Sequence, residues 1–98
     1  MKIELKKFGT TLISRQTGRE AYSAFLPSIN TVPDGEIIEV DFSGVITFSP
    51  SWGDEFLTKL LDRFGDRLLL KKSDNPSVLA TLEILEQVSN KKFKVKTI

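Results

Sequence analysis

Residues 37–64 contain a strand-like run, a loop and a helix-like run in direct succession, with the sequence IIEVDFSGVITFSPSWGDEFLTKLLDRF. The strand-like run is rich in β-branched side chains and follows the turn sequence Pro33-Asp34-Gly35, as expected for a buried strand. The helix-like run carries apolar residues three and four positions apart, which is the spacing of one helix face. We therefore expect the remainder of the chain to pack around this strand, loop and helix.

The predicted helix has clear start and stop signals. Ser49 can act as its N-cap, and Pro50 suits the first helical position because it has no N–H to leave unpaired. Asp54 and Glu55 follow near the first turn, where the positive end of the helix dipole favours acidic side chains. Gly65 then ends the helix. The apolar face comprises Trp52, Phe56, Leu57, Leu60, Leu61 and Phe64, and the opposite face carries Glu55, Lys59, Asp62 and Arg63.

Two short strands are predicted at the N-terminus. Residues 2–7 alternate apolar and charged side chains, as in a strand at an exposed sheet edge. After Gly9 a second strand is expected near residues 11–13, so the two strands should form a hairpin.

A helix is predicted after this hairpin. Its N-cap is either Ser14 or Thr17, and Thr17 with Glu20 has the spacing of a capping box. Pro27 should bend or end the helix near Leu26, because proline cannot donate the next helical hydrogen bond. The apolar face comprises Ala21, Tyr22, Phe25, Leu26 and Ile29.

The C-terminal part continues the alternation of strands and helices. The unbroken run Leu68-Leu69-Leu70 is typical of a strand buried on both faces. Asn75-Pro76 repeats the pairing of cap and proline, and a final strand is expected over residues 92–97. The third helix is marked by Val78, Leu79, Leu82, Leu85 and Val88. The order ββαβαβαβ predicts an α/β fold: three helices on a mixed, mostly parallel sheet of four to five strands, whose first strand is free to run antiparallel.

Length and composition exclude several classes of protein. With 98 residues the chain is expected to form one domain over residues 1–98. It contains no cysteine and no histidine, which excludes disulfide-linked partners and catalytic triads of the Ser-His or Cys-His type within the chain. It has neither a signal peptide nor an apolar run of membrane-spanning length, so we expect a soluble cytoplasmic protein without a membrane partner.

The net charge of +1 is unevenly distributed. Residues 1–7 carry +2 from three lysines and one glutamate, residues 91–98 carry +4 from four lysines, and the middle therefore carries −5. A basic tail can bind nucleic acid or another anionic surface. Here the lysines alternate with Phe93, Val95 and Ile98, which favours an edge strand with one buried face over nucleic-acid binding.

Two segments follow the carboxyl ends of predicted strands, where ligands gather in open α/β sheets. These segments, residues 41–52 and 71–76, bring to one surface Asp41, Ser49, Ser51, Lys71, Lys72 and Asp74. A small-ligand or nucleotide site would use Asp41, with Lys71 and Lys72 for anionic groups. The structural alternatives are that Asp41 bonds nearby loop amides, that Ser49 is only a cap and that the lysines are solvated charges.

No catalytic motif is present. Asp41 could bind Mg²⁺ together with Asp54, Glu55 or Asp74, because hard cations take oxygen ligands. These carboxylates share no recognised metal-binding spacing, and the chain lacks a glycine-rich phosphate loop and a dinucleotide fingerprint. We therefore expect a protein that is not an enzyme and that has neither a metal nor a cofactor.

Two parts of the sequence resemble a known family. The runs VDFSGVITFSPSWGDEF and GTTLISRQTGREA are similar to the bacterial STAS-like domain family of unknown function, which is related to the STAS domains of anti-sigma-factor antagonists. The resemblance covers roughly residues 8–90 and is most specific in the strand, loop and helix that end at Trp52-Gly53-Asp54-Glu55-Phe56. It implies a STAS-like fold.

The resemblance also implies a mode of action. In the antagonists, a serine at the start of the equivalent helix is phosphorylated by a partner kinase with a histidine-kinase-like ATPase fold, and phosphorylation breaks the complex. Alignment through Phe42-Ser43-Gly44-Val45 places Ser51 at the acceptor position. The antagonists usually read Asp-Ser-Ser-Gly around that serine, whereas this chain reads Ser49-Pro50-Ser51-Trp52.

The favoured hypothesis is a non-enzymatic regulatory module that binds a protein partner through residues 43–51 and the start of the following helix. Ser51 is the candidate phospho-acceptor. The predicted partner-binding residues are Ser43, Thr47, Ser49, Asp54 and Glu55. The alternative is a small-ligand or nucleotide-binding domain that uses the carboxyl ends of the parallel strands.

Overall fold

A computed structural model describes residues 1–96 of the chain. Within these residues there are six strands and three α-helices, in the order β1 (Lys2–Glu4), β2 (Thr11–Leu12), α1 (Arg15–Ile29), β3 (Ile38–Asp41), β4 (Thr47–Phe48), α2 (Pro50–Phe64), β5 (Leu68–Lys71), α3 (Pro76–Ser89) and β6 (Lys94–Lys96). Two 3-10 turns, Leu5–Phe8 and Gly65–Arg67, complete the description. The predicted α/β architecture with three helices is confirmed.

The strands form two parallel sheets. The main sheet has the order β1-β3-β5-β6, and its register places Ile3 beside Val40 and Val40 beside Leu70. The small sheet consists of β2 and β4, which pair through Thr11 with Thr47 and Leu12 with Phe48. The predicted mostly parallel central sheet of four to five strands is confirmed with four strands, and all of them run parallel, including the first strand, for which an antiparallel direction had been left open.

All three helices lie on one face of the main sheet. The strand order follows the chain order, so right-handed crossovers place every connecting helix on the same side. Leu68 and Leu70 are buried on that side, whereas Leu69 is only half-buried on the other. The prediction that this strand is buried on both faces was wrong, because no helix covers the second face within the described part of the chain.

α2 forms the centre of the core. It begins and ends as predicted, and every member of its predicted apolar face is buried: Trp52, Phe56, Leu57, Leu60, Leu61 and Phe64. Trp52 and Phe56 stack with their ring centroids 5.0 Å apart, and Phe8 lies 5.0 Å from Phe56. Aromatic packing of this kind fixes α2 on the sheet and so fixes the position of its first turn.

The predicted N-terminal hairpin was wrong. β1 ends at Glu4, a 3-10 turn follows, and Gly9 reverses the backbone with a φ of 126°. β1 then pairs in parallel with β3, and β2 pairs with β4 instead of β1. Long-range bonds decide this arrangement, since the N–H groups of Ile46 and Thr47 donate to Thr10 at 2.7 and 3.1 Å. The prediction missed β4.

α1 also differs from its prediction at its C-terminal end. The helix continues through Pro27 to Ile29, although proline was expected to end it near Leu26. Proline in a helix costs about 3 kcal/mol or more. Ile29 is 1% exposed, and burial of such a side chain contributes about 1.5–3 kcal/mol, so core packing offsets much of the cost.

The N-cap of α1 is Ser14. Its Oγ accepts a hydrogen bond from the N–H of Thr17 at 3.1 Å. The alternative capping box of Thr17 with Glu20 was wrong, because Glu20 accepts a bond from Gln16 Nε2 at 3.1 Å.

α3 and β6 are less buried than predicted. Val78 and Leu85 are buried, but Leu79 and Val88 are exposed, and the buried polar residue Thr81 takes part in the packing instead. β6 lies at the sheet edge as predicted. All of its residues are exposed, including Val95, because it is the outermost strand beside an open groove. Residue 97 of the predicted strand and the alternating Ile98 lie outside the described residues.

Candidate partner-binding site

α3 holds the loop between β3 and α2 through its first polar residues. Asn75 caps α3, because its Oδ1 accepts hydrogen bonds from the N–H groups of Ser77 at 2.8 Å and Val78 at 3.4 Å. The same side chain donates through Nδ2 to the carbonyls of Val45 at 2.9 Å and Ile46 at 3.2 Å. One side chain therefore satisfies the start of a helix and the middle of the loop.

The side chains of Ser77 and Thr81 hydrogen-bond the backbone of β4, on the side where a further strand would otherwise pair. Ser77 Oγ accepts from the N–H of Phe48 at 2.9 Å and donates to its carbonyl at 3.2 Å. Thr81, which is buried, donates to the same carbonyl at 2.5 Å. Since β2 pairs with the other side of β4, the loop is held from both sides and presents α2 in a fixed orientation.

Ser49 is engaged twice within the fold. Its Oγ accepts from the N–H of Trp52 at 3.2 Å, which is the predicted N-cap bond, and donates to the carbonyl of Ile13 at 2.6 Å. A serine hydroxyl carries a single hydrogen, so its capacity to donate is used. Ser49 joins α2 to the end of β2.

Ser51, the second residue of α2, is not engaged in this way. It is half-buried, and within residues 1–96 its hydroxyl has no hydrogen-bond partner. It lines a small notch of about 110 Å³ together with Arg15, Asp54 and Leu85. The fold therefore leaves this hydroxyl available at a helix N-terminus, where unpaired backbone N–H groups are concentrated.

Two exposed apolar side chains line the notch, and a third lies near the neighbouring Ser49. Ile84 and Val88, one turn apart on α3, line the notch and are 42% and 74% exposed. Ile13, which is 50% exposed, adjoins the Ser49 cap. Single exposed apolar residues are ordinary, whereas Ile84 and Val88 are exposed together beside Ser51.

Asp54 and Glu55 belong to an ion-pair network between α1 and α2. They are the fifth and sixth residues of α2, so the prediction that they complement its dipole was wrong, because that effect falls off beyond the first turn. Nη1 of Arg15 lies 2.9 Å from Asp54 Oδ2 and 2.8 Å from Glu55 Oε2. Arg19 and Lys59 also contact Glu55, at 3.4 and 3.2 Å.

The network shifts the pKa of two of its members. The hydrogen bond from Arg15 lowers the pKa of Glu55; desolvation opposes this shift and Lys59 reinforces it. Hydrogen bonds to Asp54 and Glu55 raise the pKa of Arg15. Glu55 and Arg15 therefore both remain charged at neutral pH, and the two helices stay linked.

Asp41, at the other end of the loop, is engaged by its neighbours. Its Oδ1 accepts from the N–H of Ser43 at 2.9 Å, and its Oδ2 lies 3.8 Å from Lys71 Nζ. Partial burial acts to raise the pKa of Asp41, but the Ser43 hydrogen bonds and the charges of Lys71 and Lys6 lower it below its ordinary value. The structural alternative for this residue, a bond to a nearby loop amide, is present.

An open cleft of about 560 Å³ lies beyond the carboxyl ends of β3 and β5. Asp41, Ser43 and Lys72 line it. Lys71 lies instead on the uncovered face of the sheet, because consecutive strand residues project to opposite faces. The cleft thus contains only one of the two lysines predicted to bind anionic groups.

The predicted partner-binding residues are divided between these two regions. Asp54 lines the notch beside Ser51, and Ser49 caps the same helix. Ser43 is exposed at the cleft, and Thr47 is half-buried in β4. The candidate site is therefore centred on Ser51.

Several residues of this site were missed by the sequence analysis. Arg15 and Ser77 give no local signal, since their partners lie 39 and 29 positions away. Ile84 gave such a signal, because it lies four positions before Val88, and Val88 itself was predicted on the apolar face of the third helix but lies off the buried stripe of α3. A second apolar stripe on one helix is a signal for a contact surface.

The C-terminal lysines are paired with acidic side chains. Lys91 lies 2.6 Å from Asp62, and Lys96 lies 3.9 Å from Glu39. Lys92 and Lys94 likewise lie 3.6 and 4.0 Å from carboxylates. The predicted basic end is thus largely compensated by the acidic middle of the chain.

Residues 1–96 contain no group of three or more acidic, histidine or cysteine side chains placed to hold a metal ion. In the same part of the chain, no helix has the length and apolar character needed to cross a membrane.

The sequence profile of a family described as a STAS-like domain of unknown function matches residues 18–78. This region extends from α1 to the start of α3 and includes the loop, Ser51 and all of α2. No match was found among curated proteins or among solved structures.

Proposed function

The chain belongs to the family of STAS-like domains of unknown function, and on that premise we propose that it is a cytoplasmic, non-enzymatic regulatory module that binds a protein partner around Ser51. The observation that carries this proposal is the contrast between neighbouring hydroxyls. Ser49 and Ser77 are engaged in the fold, whereas Ser51 has no partner within residues 1–96 and lies among exposed apolar side chains.

Phosphorylation of Ser51 controls the binding in this proposal. The partner kinase, of the histidine-kinase-like ATPase fold, supplies ATP. Ser51 Oγ forms a bond to the γ-phosphorus, the bond from that phosphorus to the leaving oxygen of ADP breaks, and the hydroxyl proton passes to a base of the kinase. The product carries about 1.5–2 additional negative charges beside Ile84 and Val88.

The phosphorylated chain should remain folded. A phosphate at the helix N-terminus gains about 0.3–1 kcal/mol from the dipole and the free N–H groups. Repulsion from Asp54 and Glu55, three and four residues on, costs about 0.2–0.5 kcal/mol for each pair. The two effects nearly cancel, so recognition changes while stability is kept.

Site-specific photo-crosslinking in the native cells tests this proposal. A photoreactive amino acid at Val88 should give adducts with a defined protein partner. The same amino acid at Ile37, which is 48% exposed just before β3 and does not line the notch, serves as the matched control and should not give these adducts. Ser51→Glu should weaken binding of that partner more than tenfold, about 1.4 kcal/mol, whereas Ser51→Ala should not. Identical adducts from both positions, or full binding by Ser51→Glu, would contradict the proposal.

A second candidate function is nucleotide or small-ligand binding, which the cleft lined by Asp41 and Lys72 favours. A clear, concentration-dependent rise in melting temperature with ATP or GTP would support it against a pure interaction module. Nucleic-acid binding has less support, because the C-terminal lysines are paired with carboxylates.

A further inference from the structure

We propose that Arg15 binds the phosphate on Ser51 and, in doing so, exchanges its contact with Asp54 for one with the phosphate. This inference rests on the phosphorylation proposed above and names the residue that accommodates the new charge. It makes the α1–α2 ion pair part of the regulatory site.

The geometry places the three groups together. Ser51, Asp54 and Arg15 line the same notch of about 110 Å³. Ser51 precedes Asp54 by three positions and Glu55 by four, so these side chains share one face of α2. Because Arg15 already contacts that face at 2.9 and 2.8 Å, a phosphate on Ser51 would be added beside a guanidinium that is in place.

The guanidinium has donors to spare. Within the described residues, Nη1 alone of Arg15 makes both contacts with the carboxylates. A guanidinium has five N–H donors in a planar fork and binds phosphate oxygens in pairs. The Arg15 side chain is 48% exposed, so the fork can turn toward the phosphate without disturbing the core.

The network can release Arg15 at little cost. Glu55 is the more buried acid, with 12% of its side chain exposed, and it retains Arg19 and Lys59 when Arg15 turns away. Asp54 loses its ion pair, but it is 38% exposed and can be solvated. Without Arg15, the phosphate would face Asp54 and Glu55 uncompensated.

The ionisation of the phosphate tests the proposal without any partner. Full-length protein with phosphoserine incorporated at position 51 is titrated by phosphorus NMR, as wild type, as Arg15→Gln and as Arg19→Gln. The second pKa of phosphoserine is ordinarily about 6. Arg15→Gln should raise it by about half a unit or more, because the dianion loses its cation. Arg19→Gln removes the same charge from the same helix and should raise it less than half as much. Equal shifts, or none with Arg15→Gln, would overturn the proposal.

Should the phosphorylated Arg15→Gln protein fail to fold, a double-mutant cycle decides the matter. Ser51→Glu and Arg15→Gln combined should lower the melting temperature by more than the sum of the single changes. Additive changes would overturn the proposal. These measurements need no partner, so a negative result here leaves the crosslinking result intact, and loss of the crosslinking result leaves these measurements intact.

Discussion

The two ends of the loop between β3 and α2 differ in whether their polar side chains already have partners within the described residues. At the Asp41 end, the carboxylate is bonded to Ser43 and lies near Lys71, although it lines the larger cleft. At the Ser51 end, the notch is small, yet it contains a hydroxyl without a partner in residues 1–96 and exposed apolar neighbours. The larger depression is thus the one whose carboxylate is already engaged, and the binding proposed at the Ser51 end is supported instead by an unengaged hydroxyl beside exposed apolar side chains.

If the position of Ser51 depends on the packing of the buried face of α2, Phe56→Ala should cause the largest loss of stability among these variants. Phe56 is fully buried and contacts the rings of Phe8 and Trp52 at 5.0 Å. We expect a loss of about 3–5 kcal/mol in the free energy of unfolding, measured by urea denaturation. Ile46→Ala, at an exposed loop position, is the control and should change stability by about 0.5 kcal/mol or less. Similar midpoints for the two variants would mean that the assigned face is wrong.

Gly18→Ala tests whether α1 and α2 must approach closely at this end. An added Cβ would lie 2.7 Å from the carbonyl oxygen of Trp52, a backbone atom that cannot move alone. Glycine to alanine within a helix usually stabilises by about 0.8–1 kcal/mol, but here we expect destabilisation by about 1–3 kcal/mol.

Gly53→Ala is the matched control in α2. Its Cβ would meet the flexible end of Leu85 at 2.8 Å and the Phe48 ring at 3.0 Å, so it should cost less than Gly18→Ala in the same thermal denaturation assay. The reverse order would show that α1 can move away from α2.

Asn75 separates the support of the loop from the capping of α3. Asn75→Ala removes the cap acceptor and both donations to Val45 and Ile46, and should cost about 1–3 kcal/mol. Asn75→Asp keeps the acceptor and loses the donations, so its stability in urea should lie between Asn75→Ala and wild type. Wild-type stability for Asn75→Asp would show that the loop does not need these bonds.

Replacing each of the two serines at the start of α2 should change the stability of the protein by a different amount. Ser49→Ala loses the N-cap bond and the bond to Ile13, and we expect a loss of about 1 kcal/mol. Ser51→Ala loses no bond within the described part of the chain and should stay within about 0.5 kcal/mol of wild type. Chemical denaturation of the two variants under one condition gives the comparison, and equal losses would refute the distinction between cap and free hydroxyl.

Lowering the pH should reduce the stability contributed by carboxylates near both ends of the loop, and this is the smallest expected effect. The folded pKa values of Glu55 and Asp41 lie below their ordinary values of 4.5 and 3.8. Each group therefore contributes stability that is present above the ordinary pKa and is lost as the pH falls through the lower, folded pKa.

Urea denaturation between about pH 7 and pH 3 measures this loss. Arg15→Gln should reduce the loss of unfolding free energy toward low pH more than Lys71→Gln does. The reason is that Arg15 makes the strongest contact with Glu55, whereas Lys71 lies 3.8 Å from Asp41. If the free energy of unfolding of Arg15→Gln fell toward low pH in parallel with the wild type, the role of this pair would be contradicted.

The candidate site was predictable only in part. Ser51 was identified through a family resemblance, and the Ser49 cap through its position before Pro50. Arg15, Ser77 and Thr81 were missed, because each acts on a partner 29 or more positions away and no local pattern marks such contacts.

The sequence by itself determined the elements whose causes are local. The caps at Ser49 and Asn75, the apolar face of α2 and its end at Gly65 follow from interactions within a few residues. Strand and helix alternation also implied a mostly parallel sheet, since parallel strands need crossovers.

Only the tertiary structure decided which strands pair, where the helix containing Pro27 ends and which polar groups remain unused. β2 pairs with β4 because the Thr10 carbonyl meets N–H groups more than thirty positions away. Pro27 is tolerated because Ile29 reaches the core. Ser49 is engaged because the end of β2 lies beside it. Ser51 lies beside the side of α3 instead, and its hydroxyl has no partner within the described residues. These outcomes depend on long-range packing and hydrogen bonding, which side-chain periodicity does not encode.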